Sequence, residues 1–182
     1  MIVIAIDPGP STSGVVVLDA TDWPPTVISS RRDLGLGEIQ QVIAETPRLP
    51  RIGTCPHVVV EGIVPYLRSG GVIGATTIET AMTIGGIREM VRRDGGELHI
   101  LTRPEVGHIL CPGAGPGTPT GYQVAEAIRD IYRRAGRATG GGVDPVIGTR
   151  REPGPLHGIA LGAHEGSALA VGLACLMMER VR

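Results

Sequence analysis

The chain has 182 residues and a mass of 19.0 kDa, enough for one well-buried domain and too short for two ordinary ones. Its 42% hydrophobic and 19% charged residues are a globular balance, and a net charge of −1 does not advertise a nucleic-acid partner. All 17 basic residues are Arg, which excludes chemistry built on a Walker-type, Schiff-base or kinase-type lysine, and the lack of Asn excludes N-glycosylation.

Residues 2–6 form a short continuous apolar run suited to a buried strand, stopped by Asp7-Pro8-Gly9-Pro10. The Val-rich stretch 14–19 reads as a second strand returning as a hairpin, and 26–31 as a third after Trp23-Pro24-Pro25. Residues 36–45 carry helical spacing at Leu36, Ile39, Val42 and Ile43. Residues 57–60 form another buried strand, closed by Glu61 and Gly62. A helix over 76–93 is expected despite Gly85-Gly86, then a strand over 97–101. Helices follow over 104–110, 123–135 and 164–181, with a Gly/Pro-rich loop at 112–121 and a flexible segment at 137–154. With no Phe and one Trp, the core must be built from Val, Ile, Leu, Ala and Met. Three strands followed by strand–helix alternation predict a single α/β domain over residues 1–182, with a mixed sheet and helices on both faces.

No basic leader or cleavage site precedes the first strand, and the longest uncharged apolar run, 168–178, is well short of the roughly 18–20 residues that span a bilayer. Cys55, Cys111 and Cys175 are odd in number and widely spaced, so a reduced cytoplasmic protein with no membrane partner is expected.

Two acids stand where acids are costly. Asp7 ends the run 2–6 and Glu61 ends the run 58–60. If both strands are central and parallel, the carboxylates emerge side by side at one sheet edge. Two such groups repel unless a cation lies between them, and Mg²⁺ is the hard, oxygen-seeking ion that suits them. For either acid alone, turn capping is the competing reading. The Gly/Ser/Thr-rich turn 9–14 could approach phosphate or simply close a hairpin. At the start of the last helix His164 and Ser167 share a face, while Glu165 points about 100° away and is open to reading as a helix-end acid. His57, His99 and His108 read as structural. Arg129, Arg133 and Arg137 recur every fourth residue, and Arg150 and Arg151 follow; this is either a solvated face or a phosphate-tracking stripe.

Ile4-Ala5-Ile6-Asp7-Pro8-Gly9-Pro10, Val58-Val59-Val60-Glu61, and His164 before Ser167-Ala168-Leu169-Ala170-Val171 together resemble the RuvC-like Holliday junction resolvases of the RNase H-like superfamily. The phage and prophage branch is the closer likeness, through Val72-Ile73-Gly74, Ile78-Glu79-Thr80, Ile84-Gly85, Arg103-Pro104-Glu105-Val106, His108 with Leu110-Cys111, and Pro153-Gly154-Pro155-Leu156-His157-Gly158. The chain departs from that family in carrying Ser167 where bacterial members have an acid, and Gly166 and Gly107 where phage relatives have Trp and Lys. Their polar, basic stretch is replaced by residues 118–123.

The resemblance implies an RNase H-like fold with a five-stranded mixed β-sheet flanked by α-helices. It further implies a Mg²⁺-dependent endonuclease, with Mn²⁺ able to substitute, that acts on four-way or otherwise branched DNA as a homodimer and uses no nucleotide cofactor. Asp7, Glu61 and His164 would be metal ligands, Glu165 a further ligand or base, and Arg129, Arg133, Arg137, Arg150 and Arg151 the phosphate contacts. An RNA-processing nuclease of the same fold, a junction-binding module without cleavage and an actin-like phosphotransferase are the rival readings; the last normally needs two lobes and a longer chain.

Overall fold

In a computed structural model of the chain, the residues described are 1–46, 57–63, 74–115, 117–135, 147 and 154–181. Five strands form one sheet in the order β3-β2-β1-β4-β5. β1 (Ile2–Asp7), β2 (Ser13–Asp19) and β3 (Thr26–Leu34) make an antiparallel meander. β4 (His57–Gly62) lies parallel to β1 on its other side, and β5 (Leu98–Thr102) is parallel to β4. Parallel neighbours need crossovers, here carried by α1 (Leu36–Glu45) and α2 (Ala75–Arg93). α3 (Arg103–Leu110), α4 (Gly121–Ala135) and α5 (His164–Val181) complete the chain. This is the five-stranded, helix-flanked α/β architecture expected from the sequence.

The period of two along each strand sorts the core. Ile2, Ile4 and Ile6 pack with Val15, Val17, Val58 and Val60 against Ile39, Val42 and Ile43 of α1 and Ile87 and Val91 of α2. Val3 and Ala5 face the other way with Val16, Leu18 and Val59, against α3, α4 and above all α5. Burial on both faces explains why β1 and β4 read as unbroken apolar runs, whereas edge strand β3 is exposed or half-buried up to Leu34. The helix α5 approaches the sheet closely because residue 172 is Gly: a Cβ there would stand 2.7 Å from Leu18 Cδ1 and 2.9 Å from Ala5 Cβ. Tyr132 is the largest fully buried side chain among the described residues, and its hydroxyl donates to the Pro25 carbonyl at 2.8 Å.

The expected elements are all present, and the differences lie at their ends. β4 runs on through Glu61 to Gly62 because Gly62 still pairs with Thr102 of β5, so Glu61 stands inside the strand rather than after it. The segment 137–154 lies outside the described residues apart from 147 and 154. Among the described residues no helix is long and apolar enough to cross a membrane.

Candidate active site

The same period of two that sorts the core aims Asp7 with Val3 and Ala5, and Glu61 with Val59, onto the α5 side of the sheet. The parallel β1–β4 register brings both acids to one sheet edge, as the sequence reading required. His164, the first residue of α5, closes the group: its Nδ1 lies 2.8 Å from Asp7 Oδ2. That contact occupies Nδ1 and leaves Nε2 as the ring nitrogen turned away from Asp7. Asp7 is buried while His164 stays about half exposed, so the acid is held from the protein side and the imidazole faces the opening.

Glu61 is 9% exposed and is held by Arg103, whose Nε donates to Oε1 at 2.6 Å and whose Nη2 reaches Oε2 at 3.5 Å. Burial pushes the Glu61 carboxyl above its ordinary range, the Arg103 hydrogen bond draws it back, and the charge of Asp7 pushes it up again. A carboxyl raised in the folded state stabilises the fold below its ordinary value of 4.5 and loses that contribution as pH rises through the folded value. Glu61→Gln, neutral at every pH, is expected to melt above the wild type near pH 8, with the gap closing toward pH 4.5. Arg103 is exposed enough to be solvated when its partner is lost. Scanning calorimetry across that range checks it, and a variant that melts lower at pH 8 contradicts it.

Glu165 is buried, and its Oε2 has no hydrogen-bond partner. It does not join the hydrogen bonds of Asp7, Glu61 and His164. Ser167 is half-buried and lines a cleft of about 220 Å³ together with Glu61 and Arg103. A second cleft of about 350 Å³ is lined by Asp7, Pro8, Glu61, Thr77, Thr80 and Arg103. Two carboxylates in contact and an imidazole on one of them are oxygen and nitrogen donors of the kind that hard divalent cations take. Among the described residues, however, no three His, Cys, Asp or Glu side chains form a group that could hold a metal ion. Glu61 is engaged by Arg103 and Asp7 by His164 instead.

The two described members of the arginine stripe are paired within their own helix. Arg133 Nη1 lies 2.7 Å from Asp130 Oδ1, and Arg129 pairs with Glu126. Arg137, Arg150 and Arg151 lie outside the described residues. His57 and His99 stack on each other with ring centroids 5.9 Å apart, and His157 Nδ1 sits 3.1 Å from the Ile147 carbonyl.

Arg103 is the site residue that sequence reasoning missed. The fold supplies the reason: it directly follows β5, the parallel neighbour of β4, so its backbone arrives at the edge where Glu61 stands. The Thr102–Glu105 capping box fixes that position, with Thr102 N–H donating to Glu105 Oε2 at 2.7 Å.

No protein-family model matches the chain, and neither does any curated protein. Among solved structures it is similar to Thermus thermophilus RuvC, with a TM-score of 0.61 and 17% identity over 100% of this chain and 96% of that one. A structure of T. thermophilus RuvC in complex with a Holliday junction substrate gives a TM-score of 0.62 at the same identity and coverage. At this identity the likeness establishes the fold: the chain has a RuvC-like fold.

Proposed function

We propose that the chain is a metal-dependent, structure-selective endonuclease of branched DNA, a junction resolvase or debranching enzyme of phage origin working in the cytoplasm. The observation that carries the reading is the convergence of Asp7, Glu61 and His164 at one sheet edge. It is joined by the likeness of the fold to a protein solved on a Holliday junction.

Asp7 and Glu61 would hold the cations, Mg²⁺ or Mn²⁺, and His164 would be a further ligand or orient water. Bound there, the cations supply Lewis-acid activation of the scissile phosphate and of the attacking water. With Nδ1 of His164 engaged on Asp7, Nε2 is the nitrogen that would face the attacking water and orient it. Glu165 supplies a buried carboxylate beside His164 in the chain, as a further ligand or base. Arg side chains contact the phosphates, because the chain has no Lys.

For DNA binding we assign Arg129, Arg133, Arg137, Arg150 and Arg151. Each phosphate contact adds about 0.9 to the log–log salt slope on duplex DNA. Replacing Arg133, Arg137 and Arg150 together is therefore expected to flatten the slope by about 2 to 3. An unchanged slope would return α4 to a solvated face whose charges satisfy each other, as Arg133 and Asp130 already do.

A four-way junction has two-fold symmetry, and two matched cuts call for a C2 dimer. The sequence places the candidate patch on α2 through Ile78, Met82 and Ile87 with Ala81, Gly85 and Gly86. The fold narrows it. Ile87 is fully buried against the chain's own sheet, and Gly86 packs on Leu36. Ile78 and Met82 remain 51% and 71% exposed beside Ile63 and Ile100, around an apolar groove of about 610 Å³. A side chain at Gly85 would meet nothing in its own monomer. Gly85→Arg should therefore convert a dimer to a folded monomer in light scattering, with a melting temperature that no longer rises with protein concentration. A wild type that is monomeric at micromolar concentration removes the dimer.

One observation favours a second reading, a junction-binding module with impaired catalysis. Ser167 offers a hydroxyl beside the Glu61 cleft where the resemblance calls for a fourth acid. Incubating the protein with a four-way junction and Mg²⁺ separates the two, since the module binds without cutting.

A further inference from the structure

We propose that the cleft of about 220 Å³ beside Glu61 is a base pocket, which takes one nucleobase extruded from the DNA at a branch point. That the base comes from branched DNA rests on the nuclease reading above; the pocket itself rests on the shape and chemistry of the cleft.

The lining of the cleft is of two kinds. Val106 of α3, Val124 of α4 and Pro119 before it give apolar surface from one side of the chain, and Leu161 and Ala170 give it from α5 and its approach. The polar lining is the Ser167 hydroxyl and the Arg103–Glu61 ion pair. A phosphate is a poor occupant, because it gains nothing from the apolar walls and meets the charge of Glu61. An aliphatic chain would leave the polar groups unsatisfied. A nucleobase suits both parts, with apolar faces and an edge of donors and acceptors that a hydroxyl, a guanidinium and a carboxylate can meet. The volume of about 220 Å³ equals roughly seven waters at ~30 Å³ each. That is room for one ring system, and it falls below the roughly 300–1,000 Å³ of pockets that enclose a drug-sized molecule.

The walls are fixed by contacts of their own. Pro119 is seated on α3 because residue 107 is Gly: a Cβ there would stand 2.9 Å from Pro119 Cδ. Gly166 does the same for the other wall, since a Cβ on it would press into the Leu161 carbonyl. The first turn of α4 is pinned by Thr120, whose N–H donates to Gln123 Oε1 at 2.8 Å. Gly121 and Gly162 behave differently. Both line the cleft, yet a Cβ at either would meet no atom within 4 Å. The space is thus formed before any ligand arrives, which lowers the cost of binding.

Location decides which base enters. The pocket shares Glu61 and Arg103 with the cleft of about 350 Å³ that also holds Asp7 and Pro8. With a phosphodiester at the acid pair, as the nuclease reading has it, the adjoining base lies within reach of the pocket. Extrusion costs least where stacking is already interrupted, as it is at a branch point. A continuous duplex bears the full cost at every position. The pocket therefore selects branched DNA by the ease of unstacking.

The test is a four-way junction carrying 2-aminopurine next to the branch point, titrated in EDTA so that binding is read without cleavage. Wild type is expected to raise the 2-aminopurine emission several-fold at saturation. Unstacking relieves its quenching, and among the described residues no aromatic side chain lines the cleft to quench it again. Gly121→Leu and Gly162→Leu fill the cleft from its two sides, and neither glycine has the positive φ that a side chain resists. Both variants are expected to abolish the rise and to weaken junction binding about tenfold, the scale of one seated base, with duplex binding unchanged. A rise that survives in both folded variants, or none in wild type, overturns the pocket while the nuclease reading stands. A wild type that binds the junction no tighter than a duplex overturns both. Millimolar deoxyadenosine is expected to leave the melting temperature unchanged; if it stabilises wild type and not the filled variants, the pocket serves free nucleosides and the proposal falls. Should the variants fail to fold, methyl spectra of the wild type decide. The Val106, Val124 and Leu161 signals must show ring-current shifts on junction binding, and unmoved signals overturn the proposal.

Discussion

Asp7→Asn is expected to lower junction cleavage by about 10³-fold or more while leaving junction binding at or above the wild-type level. Asp7 stands at the centre of the site, touching His164 on one side and Glu61 on the other. If the site holds a cation as proposed, a neutral amide there would weaken that hold; metal charge stabilisation of a transition state is worth several kcal/mol, and ~4 kcal/mol is about a thousandfold in rate. The same change removes a negative charge from where phosphate must approach, so binding has no reason to fall. Cleavage assays on a labelled four-way junction, with affinity measured in EDTA, check both halves. A variant that cuts at the wild-type rate would place the chemistry elsewhere.

Gly14→Ala should damage stability and activity together. Residue 14 pairs with Asp7 across the β1–β2 ladder, and a Cβ there would stand 2.4 Å from His164 C and 2.5 Å from its O. Those are backbone atoms, so relief means lifting the first turn of α5 off the sheet. Overpacking of this kind costs about 1–3 kcal/mol, which at this chain length is roughly 2–4 °C of melting temperature per kcal/mol. The 2.8 Å contact of His164 with Asp7 would be broken as well, and a misplacement of about 1 Å can cost about 10² in rate. Gly37→Ala is the control: Gly37 sits exposed in α1 with nothing near its absent Cβ, and Ala there should stabilise by about 0.5–1 kcal/mol. Equal behaviour of the two variants would contradict the tight seat of α5 on β2.

The acid pair was legible because its logic is local. An apolar run marks a buried strand, the acid at its end is visible, and only the parallel pairing of β1 with β4 had to be supplied by the fold. The α5 contact was half legible: His164 was visible, but the reason it reaches Asp7 is Gly14, which reads in sequence as an ordinary turn residue. Arg103 was hidden because its partner lies 42 residues away and the contact depends on the β4–β5 register. On α2, helical spacing alone grouped Ile87 with Ile78 and Met82. Which part of that face meets the sheet is settled by tertiary packing, and Ile87 went inward while Met82 did not. The arginines of α4 show the reverse limit: Glu126 and Asp130, each three residues before an arginine, already signalled pairing along the helix.

The most direct test is incubation of the purified chain with a four-way junction, a linear duplex and an RNA–DNA hybrid, each in Mg²⁺, in Mn²⁺ and in EDTA. The account predicts paired nicks in the junction with either cation, none in EDTA, and neither the duplex nor the hybrid cut at a comparable rate. Cleavage of the hybrid alone, or tight junction binding with no cut under any cation, would contradict it.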